Sequence, residues 1–179
     1  LHAGAKDTEL GTRCSKAELV PMLRLMDPDF VQTDCKGHPG YTSWFSEVEG
    51  ASVPEGLTDD ALKQWREATR ELGLPLHCHY SGVWDKAAGA KHPEWCVVTA
   101  DGQGAGAPFG QNAGAPTHEK MCPRSPYLDQ LMIPQMLELI DRYAVDGFWI
   151  DGDIWAVEPC YCDKCRQAFK KATASPVLP

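Results

Sequence analysis

No stretch of this sequence is apolar for long enough to cross a bilayer. The longest runs, such as Val145–Ile150 with Asp146 inside it, fall far short of the roughly 20 residues a span requires. Excess positive charge is also missing. A formal charge of −8 argues against a nucleic-acid partner, which needs clustered Lys and Arg to neutralise phosphates. No Gly-rich phosphate loop follows any strand-like segment, which weighs against a doubly wound nucleotide-binding sheet. Internal repeats and true low-complexity tracts are absent, so a solenoid is not expected. There is no signal-peptide pattern. The chain opens on Leu1 instead of Met, and the expectation is of a processed or truncated product.

What is present is ordinary for a soluble globular protein: 179 residues, 43% hydrophobic and 23% charged. Helical and strand-like segments alternate, the sign of an α/β protein with parallel strands. Ser15 with Glu18 forms a capping box opening a helix over Ala17–Met26, and Pro28 ends it. A strand over Asp29–Cys35 follows, with Phe30, Gln32, Asp34 and Lys36 on one face. Thr42–Gly56 reads as a long loop. Thr58 is the expected cap of a helix over Asp59–Leu72, stopped by Gly73. Leu74–Tyr80 is the next strand, and Ser81–Arg124 a long loop, flexible and rich in Gly and Ala over 101–120. Tyr127–Tyr143 is a helix, Val145–Asp151 a buried strand and Lys164–Thr173 a last helix. With Leu1–Gly4 as the end of a first strand, the pattern gives about four β/α units. The expected fold is therefore the N-terminal half of a (β/α)8 TIM barrel spanning residues 1–179, because a full barrel needs roughly 250 residues. A missing C-terminal half or a second copy of the chain would complete it.

Polar residues gather where the strands end, the rim on which barrels place their chemistry. Asp151 closes the strand Phe148-Trp149-Ile150, and alternation puts Trp149, Asp151 and Asp153 on one face. A carboxylate beside an aromatic wall suits attack on an oxocarbenium-like centre. The other reading is a structural Asp that caps the following loop. Asp153 is a possible partner acid. His77 and His79 share a face, and fit sugar contact, a satisfied core, or a metal-dependent hydrolase with His2 and Asp151. Lys36, His38 and Tyr41 lie within six residues and suit a polyol ligand or a solvated loop. Trp44, Trp84, Trp95 and Trp155 fall in or beside rim loops, as sugar platforms or as core. Cys160-Tyr161-Cys162-Asp163-Lys164-Cys165 supplies three thiolates, and Cys122 could supply a fourth for a structural zinc. A disulfide within the cluster and unligated thiols are the alternatives.

Several of these segments resemble family 29 α-L-fucosidases, in that family's order. Leu1-His2-Ala3-Gly4 resembles its Phe-His-Trp-Gly, and Lys36-Gly37-His38-Pro39-Gly40-Tyr41 its Lys-His-His-Asp-Gly-Phe. His79-Tyr80-Ser81 with Trp84 resembles Tyr-Tyr-Ser…Trp, and Phe148-Trp149-Ile150-Asp151-Gly152 resembles Trp-Phe-Asp-Gly. The resemblance implies a retaining glycosidase with Asp151 as nucleophile and His2, His38 and Tyr80 on the sugar. Its acid/base would lie beyond Pro179. The whole chain is also similar to uncharacterised bacterial proteins described as α-L-fucosidase-like or hypothetical glycosyl hydrolases. The Cys160–Cys165 stretch resembles the zinc-binding Cys-Tyr-Cys-x-x-Cys…Phe of family 42 β-galactosidases, through Phe169. That family's Asn-Glu pair is replaced by Asp151-Gly152-Asp153. The expected function is hydrolysis of a terminal sugar such as α-L-fucose from a carbohydrate substrate. A non-catalytic carbohydrate-binding half-barrel is the alternative.

Overall fold

The computed structural model describes residues 3–102, 119–151 and 159–174. Its elements are α1 (Lys16–Met26), β1 (Val31–Lys36), α2 (Ala61–Leu72), β2 (Leu76–Ser81), α3 (Lys86–Lys91), α4 (Ile133–Tyr143), β3 (Gly147–Asp151) and α5 (Asp163–Thr173). The three strands form one parallel sheet in the order β1-β2-β3. This is an α/β architecture consistent with part of an α/β barrel. A strand over Leu1–Gly4 is not supported: Ala3 and Gly4 lie in coil, and Leu1 and His2 are outside the described residues.

Local chemistry explains most boundaries. Ser15 and Glu18 make the reciprocal capping box of α1, and Asp27 closes it in the left-handed conformation. The cap of α2 is Asp60, not Thr58. Thr58 gives both its backbone N–H and its hydroxyl to Leu10 O, which leaves the Asp60 carboxylate to accept from Lys63 N at 2.9 Å. Gly73, at φ 69°, stops that helix as expected. The segment read as one helix from Tyr127 starts with a π turn over Leu128–Met132. Pro134 accounts for it, because its ring crowds the preceding turn and widening the helix relieves the clash. Ser81–Arg124 is not loop throughout: Asp85 accepts from Ala88 N at 2.8 Å and starts α3, followed by a 3-10 turn over Pro93–Trp95. Residues 103–118, the core of the Gly/Ala-rich stretch, lie outside the described residues.

A register shift in β1 redirects one expected rim residue. Gln32 pairs with His77 and Asp34 with His79, but Lys36 pairs with Tyr80, so Cys35 is the extra residue of a bulge. Lys36 therefore leaves the face shared by Gln32 and Asp34 and enters the core beside the helices. That core contains Leu19, Leu23, Leu62, Leu76, Cys78 and Leu139. By alternation the opposite face carries Gln32, Asp34, His77, His79, Trp149 and Asp151. Its two large rings, Phe30 and Trp149, are each 54% exposed.

Candidate active site at the strand ends

The C-terminal ends of the three strands bring two carboxylates and two imidazoles into contact. His79 of β2 lies between Asp34 of β1 and Asp151 of β3, with Nδ1 2.6 Å from Asp34 Oδ1 and Nε2 3.3 Å from Asp151 Oδ2. His38, in the loop after β1, approaches the same Asp151 oxygen at 3.5 Å through Nε2. Its Nδ1 is 2.7 Å from Ser81 Oγ, whose hydroxyl donates to Trp84 O. The Asp34 hydrogen bond, helped by Asp151, outweighs burial and raises the His79 pKa above its ordinary value. The indole of Trp149 meets His79 edge-on at 5.1 Å and stands open beside Asp151.

The His38 loop is held from below. Lys86 N donates to His38 O at 3.0 Å and Ala87 N to Pro39 O at 3.1 Å, so the first turn of α3 grips it. Gly40 sits at φ +87°, where a side chain is strained, and a Cβ there would run into Asp85 Oδ1. Asp85 in turn pairs with Lys36 at 2.6 Å, both side chains being 1% exposed.

Three expected rim residues are thus interior. Lys36 lies over the Tyr80 ring and donates to Tyr127 Oη at 3.1 Å. Tyr80 is fully buried and donates to Gln135 Oε1. Trp84 is buried under Lys120. Trp44 and Trp95 are core as well. His38 and Tyr41 remain half-buried at the surface. His77 packs its ring on Phe30 at 5.3 Å, at the far end of the strand from Asp151. His2, Asp153 and Trp155 lie outside the described residues. Sequence reasoning gave Asp34 and Ser81 no role, and it left Trp44, Trp84 and Trp95 open as sugar platforms or core, of which the structure supports core. Alternation along β3 was the signal for Trp149. A cavity of about 970 Å³ beside β1 is lined by Gln32, Asp34, Arg13 and Trp65, so Asp34 stands between it and His79.

A second cluster lies apart from this rim. The Sγ atoms of Cys122, Cys160, Cys162 and Cys165 all fall within 4.8 Å of one another, the one such group of possible metal ligands among the described residues. Cys122 is 3.4 Å from Cys165 and 3.9 Å from Cys162. Four sulfurs around a zinc at ~2.3 Å stand about 3.8 Å apart, so the set fits a tetrahedral cation. All eight cysteines are free thiols here. Burial pushes the Cys122 thiol up to about 11, and burial with the neighbouring thiols raises Cys165. At Cys162 hydrogen bonds from the Cys165 backbone and the other thiols outweigh burial and lower it.

A three-stranded parallel α/β sheet with carboxylates and imidazoles at its strand ends is consistent with part of an α/β barrel, the fold that places its chemistry at that rim. Residues 15–152 match the family described as hypothetical glycosyl hydrolase 6, and the chain belongs to that family. It is therefore glycoside hydrolase-like at the level of family. Among solved structures it is similar to α-L-fucosidase isoenzyme 2 from Paenibacillus thiaminolyticus, at 23% identity and a TM-score of 0.77 over 98% of this chain and 26% of that one. A Thermotoga maritima α-fucosidase shares 20% identity with a TM-score of 0.52, over 76% of this chain and 28% of that one. A hypothetical protein from Ruminiclostridium thermocellum shares 15% identity with a TM-score of 0.58, over 78% and 72%. At such identities these likenesses establish the fold. The chain spans about a quarter of the length of the two fucosidases. No curated protein sequence matches it. No helix among the described residues is long and apolar enough to cross a membrane.

Proposed function

We propose that this chain forms the N-terminal part of the catalytic barrel of a retaining glycosidase, with Asp151 as its nucleophile. The observation that carries the reading is the setting of Asp151. It ends the parallel strand β3 beside an open indole, with Oδ2 held by two imidazoles. Holding one carboxylate oxygen directs the other at an incoming ring. Asp151 Oδ1 would bond to the anomeric carbon as the glycosidic C–O bond breaks, and an acid outside the described residues would protonate the departing oxygen. Water then cleaves the glycosyl ester and regenerates the carboxylate. Trp149 would pack on the apolar face of the sugar, with His38, Tyr41 and residues outside the described set, His2 among them, supplying polar contacts. Because solved structures of this fold are named α-L-fucosidases, α-L-fucoside is the first substrate to try. The exposed Phe30, at the opposite end of the sheet from Asp151, fits completion by the rest of a barrel or by a second copy.

Cys122, Cys160, Cys162 and Cys165 would hold a structural zinc with no open position for substrate. The zinc would tie the start of α5 to the strand-like segment at Val97–Val98, where Tyr161 N already donates to Val98 O at 2.7 Å. The metal-dependent hydrolase reading has less support, because His77 and His79 join no group of three close ligands among the described residues.

The test is nitrophenol release from aryl glycosides, α-L-fucoside and β-galactoside included, by the protein as encoded in full. Asp151→Asn is expected to lower turnover by roughly 10⁴-fold or more. Proton NMR should show that the first-formed sugar keeps the substrate's anomeric configuration. Turnover that survives Asp151→Asn would sink the nucleophile assignment. Sugar binding without turnover in the full protein would favour a carbohydrate-binding barrel.

A further inference from the structure

We infer that Asp34, His79 and Asp151 form a carboxylate–imidazolium–carboxylate relay, in which His79 is a positioning residue that sets the nucleophile's orientation. The inference rests on Asp151 being the nucleophile. Its physical basis is the register of the sheet. Asp34 pairs with His79 across β1 and β2, and Ser81 pairs with Asp151 across β2 and β3. The imidazole therefore stands on one face with a carboxylate on each side.

The two contacts are unequal. Asp34 Oδ1 is 2.6 Å from Nδ1, while Asp151 Oδ2 is 3.3 Å from Nε2. A neutral imidazole has one N–H and could donate to only one of these acceptors, whereas the imidazolium donates to both. The tighter bond to Asp34 favours the doubly protonated ring, which then presents an N–H and a positive charge to Asp151. Such a partner fixes which carboxylate oxygen is occupied. Among the described residues, the charged or titratable neighbours of the ring include Asp34 from β1, Asp151 from β3, His38 through Asp151, and His77 two residues earlier on its own strand. On the backbone side Cys35 Sγ donates to His79 O at 2.9 Å, anchoring the strand beneath the ring. Trp149 meets one edge of the ring at 5.1 Å.

Asp34 itself lines the cavity beside β1, on the far side of His79 from Asp151. Its role in the relay is to act through the imidazole. Raised by Asp34, the ring stays charged below its elevated pKa, and the relay is lost as the pH rises through that value.

The experiment follows the His79 ring by nitrogen and proton NMR across pH, in the wild type, Asp34→Asn and Asp151→Asn. At neutral pH both ring nitrogens of the wild type should carry protons. The titration midpoint should lie above the ordinary ~6.5 and fall by about one pH unit or more in Asp34→Asn. It should fall less in Asp151→Asn, whose bond is longer. In a catalytically active protein the alkaline limb of kcat/KM should move to lower pH by a similar amount in Asp34→Asn, which a merely structural loss would not produce. A singly protonated ring at neutral pH in the wild type overturns the relay even if Asp34→Asn fails to fold. So does an unchanged midpoint in a folded Asp34→Asn. A confirmed imidazolium with no turnover on any glycoside would leave the relay standing and reject the glycosidase reading.

Discussion

Lys36 shows how one residue's environment can reverse its expected role. Counted by alternation it belongs on the same face as Asp34, ready for a hydroxylated ligand. The bulge at Cys35 sends it inward, where the Asp85 carboxylate and the faces of Tyr80 and Tyr127 surround it. Burial, with the Asp85 charge nearby, holds both tyrosine hydroxyls protonated far above their ordinary value, so they serve as neutral hydrogen-bonding groups. A pair this deep is stable only while both charges are present. Lys36→Met leaves Asp85 alone in the core and is expected to cost about 3–5 kcal/mol in urea unfolding. Lys36→Met with Asp85→Asn, which removes both charges and keeps an oxygen for the α3 cap, should recover much of that loss. A cost below about 1 kcal/mol for the single change would mean that water reaches Asp85.

Elements are joined here by side chains that sequence periodicity does not reveal. Glu138 on α4 accepts from Trp44 Nε1 at 2.8 Å, Ser46 Oγ at 2.7 Å and Glu47 N at 2.8 Å, and pairs with Arg142. One carboxylate thus fastens the loop after β1 to the helix before β3. Burial alone would push Glu138 up, but these donors outweigh it and hold its pKa below the usual glutamate value. Its stabilisation is therefore full above the ordinary range near pH 4.5 and is lost as the pH falls through its own lower value. Glu138→Gln should cost roughly 1.5–3 kcal/mol at neutral pH and flatten the acid side of the stability–pH curve. An acid limb identical to the wild type would remove Glu138 from that role. Helix positions themselves were readable, because the Ser15–Glu18 box and Gly73 act within a few residues. The cap at Asp60 was missed because Thr58 is drawn away by Leu10, a partner 48 residues earlier.

Across the whole molecule the four-cysteine cluster joins the segment around Val97 and Cys122 to α5. Metal analysis should find about one zinc per chain. A strong chelator should then lower the melting temperature, and Cys162→Ser should bring wild type and chelated protein together. Absence of zinc from protein purified under reducing conditions, with unchanged melting in Cys162→Ser, would reject the site.

By itself the sequence determined the alternation of helices and parallel strands, the position of Asp151 at a strand end, and the cysteine spacing that permits a cluster. Each of these depends on residues close together in the chain, through periodicity, capping or motif spacing. The tertiary structure decided that Lys36, Tyr80 and Trp84 are interior, that Trp149 is the open ring, and that His79 bridges Asp34 and Asp151. For Lys36 the reason is strand register, since the one-residue bulge in β1 exchanges its face, and for His79 it is the pairing that sets carboxylates from β1 and β3 on either side of β2.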